Sequence, residues 1–246
     1  MNNITHIDRD FGWFVGAFNN NQNHKHYAIQ LSIPLEREVV VNTPDASITT
    51  KQSVLIAPNV SHQFKSESPH FLLLINPAST VGHFWTKQLT KSIQEIENEI
   101  TNQIKNLILS KNQSADFISE INKIILNNHC FCETALHRGD ERINLALAYL
   151  DEHFDQVISL DEIASHCHLS PSRFLHLFKQ ETGITYRRAQ LWNKLVKALP
   201  YFGKQSLTEI AHQNGFSDSA HLSRVFKENF GFGPREFLKL SQFIQV

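Results

Sequence analysis

Cysteine is scarce in this chain. Cys130, Cys132 and Cys167 are an odd, scattered set, which excludes a disulfide framework of the kind that staples small secreted domains. Long apolar runs are missing as well. No stretch approaches the length needed to span a bilayer, and the opening MNNITHIDRDFGWF has neither a basic start nor an apolar signal core. The expectation is a cytoplasmic protein with no membrane partner. Charge of one sign is also lacking. The net charge is −1; residues 141–246 hold 12 Lys+Arg against 11 Asp+Glu, and residues 1–140 hold 11 against 13. Neither half attracts a polyanion by bulk charge, so any nucleic-acid binding must rest on cations clustered on one face. Walker loops, dinucleotide fingerprints, nucleophile elbows and paired catalytic carboxylates are absent, which leaves an enzyme little to work with.

What is present falls into regions. Over residues 1–80 the runs FGWFVGAF, YAIQLSIPL, REVVVN, SVLIAP and FLLLIN read as short strands, separated by Asn-, Pro- and Ser-rich turns. Such spacing predicts an antiparallel sandwich or barrel. Between Gly82 and Gly139 there is no Gly or Pro. Trp85, Leu89, Ile93, Ile96, Ile100, Ile104 and Leu107 recur at steps of three and four, the signature of one long helix with a single apolar stripe. We expect this stripe to pack mainly against a second copy of the chain. Phe117, Ile118, Ile121, Ile124 and Ile125 predict a second, shorter helix. The segment 81–132 is thus expected to be a helical dimerisation region, with 133–140 a linker and 141–246 an all-helical domain.

That last domain states one phrase twice. Leu160, Ile163 and Ala164 match Leu207, Ile210 and Ala211 at an offset of 47; Phe174, Leu177 and Phe178 match Leu222, Val225 and Phe226 at 48. The second turn therefore holds one extra residue. Each copy reads as a short helix, a tight turn and a second helix. Ser170 with Pro171 makes an N-cap followed by proline at the first helical position, Asp218 or Ser217 caps the second copy, and Gly183 and Gly231 stop the second helices. Once the apolar positions are assigned to the core, Ser172, Arg173, Leu175, His176 and Lys179 remain on one face, and Ser219, Ala220, His221, Ser223, Arg224 and Lys227 on the other. Neither face carries an acid past its cap until Glu181 and Glu228. Small residues, hydrogen-bonding groups and cations are what a helix entering a major groove presents. Two helical hairpins with merely solvated faces would share the periodicity, but not two matched acid-free surfaces.

The texts LDEIASHCHLSPSRFLHLFKQETGITYRR and SLTEIAHQNGFSDSAHLSRVFKENFGFGPREF resemble the DNA-binding domain of the AraC/XylS family of bacterial transcription regulators. The resemblance covers residues from about Glu141 to Leu240 and is closest in the second piece. It implies seven helices, with a linking helix near Arg187–Leu199 joining two helix-turn-helix units whose recognition helices enter successive major grooves, about 34 Å apart. It places base reading on Ser172, Leu175, His176, Ser219, Ala220, His221 and Arg224, and phosphate contacts on Arg173, Lys179, Arg187, Arg188 and Lys227. Two departures stand out. Leu175 and His176 occupy positions where members often carry longer polar or basic side chains, and His168 stands where the second unit has Gly215. If that turn needs positive φ, His is strained there more than Gly.

The same resemblance implies a cupin-like barrel for residues 10–80. NHKHYAIQLSI and LIAPNVSHQF echo the His-x-His and Pro-to-His segments of cupins, with Gln30 or Leu31 at the position of the metal-binding Glu. Three readings of His24, His26 and His62 stand: structural histidines, hydrogen-bonding groups of an effector pocket together with Gln30, or a metal site. The effector pocket is the assignment adopted, and no cofactor or metal is expected. Trp13, Phe14, Phe18, Tyr27 and Phe64 could line such a pocket. Cys130 and Cys132 beside His129 are read as helix-end cysteines.

The fold expected is α+β in two domains, a cupin-like sensor with dimerisation helices and a double helix-turn-helix domain. The expected function is an effector-responsive DNA-binding regulator. Its partners would be double-stranded DNA, a second copy of the chain, an unidentified small-molecule effector and RNA polymerase. The alternatives are a metal-dependent cupin enzyme and a ligand-independent regulator.

Overall fold

The computed structural model describes residues 3–17, 21–110, 116–131, 140–153 and 156–241. The chain divides into two compact units: Met1–Cys130 together with Ser223–Val246, and Phe131–Leu222. It is α+β, as expected, with strands in the first part and helices in the last.

Among the described residues nine strands build the first unit: β1 (Ile4–Ile7), β2 (Phe11–Gly16), β3 (Ile29–Pro34), β4 (Val39–Asn42), β5 (Ser47–Thr50), β6 (Ser53–Ile56), β7 (Gln63–Ser66), β8 (His70–Ile75) and β9 (Ile93–Ile96). They form a six-stranded sheet in the order β1-β2-β8-β3-β6-β9 and a three-stranded sheet in the order β5-β4-β7. Every pairing is antiparallel. The expected barrel is therefore not closed; two separate sheets stand in its place. The alternation of strand side chains feeds two apolar clusters. Leu55 joins Trp13, Leu31, Phe71 and Leu73 in the larger one. Its neighbours Val54 and Ile56 point the other way, toward Val39, Val41 and Phe64.

The long helix expected from Trp85 to Leu107 does not form. The stripe is cut into α1 (Thr80–Gln88), strand β9 and α2 (Glu99–Leu109). Trp85, Ile100 and Ile104 are buried in the unit's own core, with Leu89, Ile96 and Leu107 packed at its margin. Ile93 packs on the smaller cluster instead. The reason is local. A step of three places two residues on one face of a helix but on opposite faces of a strand. Ile93 and Ile96 each find a different cluster while β9 pairs with β6, Ile56 opposite Ile93 and Ser53 opposite Ile96. Asn98 then restarts the helix: its side chain accepts from Thr101 N–H while Thr101 Oγ1 accepts from Asn98 N–H, a reciprocal cap. Helix α3 (Phe117–Asn127) follows as expected, with Phe117, Ile121 and Ile125 buried. Trp13 donates its indole N–H to Asn122 Oδ1 at 2.8 Å, which ties α3 to the sheet.

Seven α-helices follow among the described residues of 140–241: α4 (Glu141–Glu152), α5 (Leu160–His166), α6 (Pro171–Thr182), α7 (Tyr186–Ala198), α8 (Leu207–Gln213), α9 (Ser219–Phe230) and α10 (Pro234–Ser241). The expected linking helix is α7. The boundary between the two compact units falls inside α9, after Leu222. The expected linker, 133–140, lies outside the described residues except for Asp140, which caps α4 by accepting from Arg142 N–H. Cys132 and Phe154 also lie outside them. Among the described residues no helix is long and apolar enough to cross a membrane.

Candidate functional site

The repeated phrase is a pair of helix–turn–helix units. In the first, Leu169 N–H bonds back to Ala164 O at 2.9 Å; in the second, Phe216 N–H bonds back to Ala211 O at the same distance. Both turns need one left-handed residue, and it is His168 (φ 54°) in one and Gly215 (φ 71°) in the other. The 47-residue offset therefore persists through the turn, and the added residue follows it. The first recognition helix, α6, is capped by Ser170, which accepts from Arg173 N–H. The second, α9, is capped by Asp218, which accepts from His221 N–H at 2.7 Å. The extra residue is Ser217, whose hydroxyl lies 3.1 Å from His221 Nδ1. Each cap stabilises its helix by about 1 kcal/mol. Left-handed Gly183 and Gly231 terminate the two helices.

Packing then fixes which face is free. On α6, Phe174, Leu177 and Phe178 are buried. Phe174 and Phe178 both meet the Tyr186 ring edge-on, at centroid distances of 5.2 and 5.6 Å, and the Tyr186 hydroxyl donates to Ile158 O. Opposite them Ser172, Arg173, Leu175, His176 and Lys179 are exposed, including the large apolar Leu175 at 39%. On α9, Leu222, Val225 and Phe226 are buried; Ala220, Arg224 and Lys227 are exposed, and Ser219, His221 and Ser223 are half-buried. Arg187 is exposed and Arg188 half-buried at the start of α7. Each helix thus shows an acid-free polar face, and the positive end of each helix dipole favours phosphate. Cys167 is buried, and burial pushes its thiol up to about 11, so it packs rather than reacts. His166 and His212 are exposed.

A second cluster lies in the first unit. His24, His26 and His62 are buried, and one ligating nitrogen from each lies within 4.8 Å of the others. Strand geometry does not align them. His24 and His26 are in a loop outside the named strands, and a backbone bridge joins His24 to His62 (N–H to O 2.9 Å both ways). Each Nδ1 contacts a backbone carbonyl at 2.9 Å: Gln22 for His24, Ala28 for His26 and Val60 for His62. Gln30 Oε1 lies 3.1 Å from Nε2 of both His26 and His62, and Gln30 Nε2 donates to Ser32 Oγ. Burial holds all three rings below the usual histidine range, with neighbouring imidazoles adding to the effect on His24 and His62; His24 falls to about 4. The rings are therefore neutral at pH 7.

The sequence pattern gathers these four residues but not their neighbours. A cavity of about 20 Å³ is lined by His24, His26 and Gln30 together with Asn21, Phe64, Leu72, Leu74, Phe230 and Phe232. That is room for about one water, not for an organic effector. Of the aromatic residues expected around a pocket, Phe64 alone among those described lines it. Trp13 belongs to the larger core, Tyr27 is buried elsewhere, and Phe18 lies outside the described residues. Nothing in the sequence signals that Phe230, Gly231 and Phe232 meet this loop.

Comparison with known proteins bears on the C-terminal units first. A family model described as a helix-turn-helix domain matches residues 163–240. Among curated relatives, the HTH-type transcriptional activator RhaS of Escherichia coli O139:H28 is 37% identical over 103 residues, which are 41% of this chain and 37% of the relative. RhaS of Klebsiella pneumoniae strain 342 is 36% identical over 115 residues, 46% of this chain and 41% of the relative. The chain thus spans little more than a third of the length of these relatives. Among solved structures, apo ToxT of Vibrio cholerae aligns over 96% of this chain and 99% of its own at a TM-score of 0.63 and 14% identity. Wild-type ToxT bound to an unsaturated fatty acid aligns over 98% and 99% at a TM-score of 0.59 and 14% identity. The likeness to ToxT is one of fold. The match over residues 163–240 and the likeness to RhaS show a helix-turn-helix domain of AraC type in the C-terminal part of the chain.

Proposed function

We propose that the protein is a sequence-specific DNA-binding transcription regulator whose α6 and α9 read successive major grooves. The observation that carries this is the pair of capped helices, each with an acid-free polar face opposite its buried triplet. Ser172, Leu175 and His176 on α6, and Ser219, Ala220, His221 and Arg224 on α9, face base edges. Arg224 suits a bidentate contact to guanine; Leu175 suits thymine methyls. Arg173, Lys179, Arg187, Arg188 and Lys227 take phosphates, which position the protein without reading sequence. The net charge of −1 provides little general attraction to DNA, so pairing of two copies at adjacent sites raises effective concentration. The N-terminal unit is the sensing part, as a regulator that responds to an effector requires, and RNA polymerase is the partner an activator engages. DNA is read in the cytoplasm.

The test is selection of bound duplexes from a random library. An enriched site with two blocks about one helical turn apart is expected, and Arg224→Ala should relax positions in one block only. Enrichment of no motif, or uniform loss of binding to every duplex in that variant, contradicts the assignment.

A further inference from the structure

A larger cavity lies wholly within the unit Phe131–Leu222, and none of the residues assigned above to bases or phosphates lines it. It measures about 200 Å³. That exceeds the ~150 Å³ that admits benzene and falls short of the ~300 Å³ at which drug-sized pockets begin, so it fits a molecule of about six to ten non-hydrogen atoms. Three stretches wall it: the end of α4 with the segment leading to α5, one side of α7, and the end of α8 with the turn before α9. From α7 come Gln190, Asn193, Lys194 and Lys197, at i, i+3, i+4 and i+7, a single helical face that is polar throughout. The α4–α5 side adds the apolar Leu150, Val157 and Ile158. No Asp or Glu lines the cavity among the described residues. Its walls are already fastened together, because Gln190 Nε2 and the Tyr186 hydroxyl both donate to Ile158 O.

Two groups in these walls are incompletely met by the protein. Lys194 Nζ donates to Gly215 O at 2.7 Å, a cation on the carbonyls that follow α8. That bond takes one of its three N–H donors. Burial also holds the ammonium below its usual range, so an anion beside it would favour the charged form. Asn214 is 4% exposed and lines the cavity. Its Nδ2 donates to Ile210 O at 2.8 Å, and its Oδ1 has no hydrogen-bond partner among the described residues. Turning the amide would not help, since the oxygen would then face the Ile210 carbonyl. A buried acceptor without a donor costs stability, and a donor within the cavity would satisfy it.

We propose that this cavity binds a small carboxylate that also carries a hydroxyl or ammonium group. The carboxylate sits on Lys194 and Lys197, the donor on Asn214 Oδ1, and the carbon chain against Leu150, Val157 and Ile158. A cation is refused by the two lysines, and an apolar molecule or a bare carboxylate leaves Asn214 unsatisfied. By touching α7 and the turn before α9 together, the ligand braces the second helix-turn-helix unit on the linking helix. Less ordering then remains to be met on contact with DNA, so affinity rises. That consequence rests on the DNA-binding reading above, whereas the site does not.

The full chain is titrated calorimetrically at fixed ionic strength with lactate, malate and glutamate, and with their counterparts that lack the hydroxyl or ammonium group, propionate, succinate and glutarate. Saturable binding of one equivalent is expected for at least one of the first three, with its counterpart about three- to tenfold weaker. Lys194→Met and Lys197→Met should each weaken it about tenfold or more, and circular dichroism checks that both variants fold. Amide resonances of Lys194, Asn214 and Gly215 should shift as the ligand is added. Binding by none of the three, binding that both variants leave unchanged, or shifts confined to residues 3–130 overturns the site. A counterpart that binds equally well overturns the role of Asn214. At saturation the ligand should tighten binding to the selected duplex about threefold or more; unchanged affinity overturns the coupling to DNA. Failure to bind any duplex, with the ligand titration intact, counts against the DNA-binding reading alone.

Discussion

Gly231→Ala tests the close approach between the histidine loop and the end of α9. Gly231 has φ 77°, and an alanine held there is strained by about 1 kcal/mol. Its Cβ also meets backbone, the Gln22 carbonyl oxygen, which cannot swing aside as a side chain can. The segment must move, and the 2.8 Å bond from Gln22 N–H to Gly231 O goes with it, at a further cost of about 0.5–1.5 kcal/mol. Together these come to about 1.5–2.5 kcal/mol. Gly215→Ala is the control. It has nearly the same φ, 71°, but its Cβ would meet Lys194 Nζ at 3.3 Å, a flexible side chain, so strain of about 1 kcal/mol is the whole cost. Residue-resolved native-state hydrogen exchange separates the two. Gly231→Ala should raise exchange at the Gln22 amide by roughly tenfold or more, and Gly215→Ala should leave it alone. Equal effects of the two variants at Gln22, or none from Gly231→Ala, would show that the close approach carries no such energy.

Three further outcomes are expected. Arg224→Ala weakens binding to the selected site by about 1–3 kcal/mol, while Leu175→Ala weakens it less; fluorescence anisotropy with labelled duplex checks both. His70, enclosed by Phe14 and Phe64 and lowered to about 4 by burial, makes stability fall with acid. Between about pH 6.5 and 4 the unfolded chain binds a proton the folded chain refuses. The folded state therefore loses about 3 kcal/mol across that window, and urea melts of His70→Phe should show that much less acid sensitivity. Trp85→Ala empties a fully buried site in the larger core and should cost about 3–5 kcal/mol; the loss should not depend on protein concentration, since Trp85 packs inside its own chain.

The C-terminal half is legible in the sequence because its signals are local and redundant. Caps at Ser170 and Asp218, stops at Gly183 and Gly231 and buried triplets at helical spacing all point the same way. The need for positive φ at His168 follows from Gly215 through the repeat. The region 80–110 misleads because a step of three or four between apolar residues satisfies a helix, yet two clusters on opposite sides of β9 satisfy Ile93 and Ile96 equally well. Sequence carries no record of that choice, which tertiary pairing with β6 makes. Strands β1, β5 and β7 are short and polar, and lack the apolar runs that mark β3 and β8. The histidines can be found from their spacing to Gln30. The meeting of Gln22 with Gly231 cannot, because it depends on chain segments about two hundred residues apart.

DNA recognition stands or falls on two acid-free helix faces that hold a duplex through phosphates and base edges. Salt titration of wild type and Lys227→Ala on the selected duplex probes those faces without intermediary. Log affinity should fall linearly with log salt, and Lys227→Ala should make the slope shallower by about 1 while leaving sequence preference intact. Affinity that ignores salt, or no affinity for any duplex even at low salt, would contradict it.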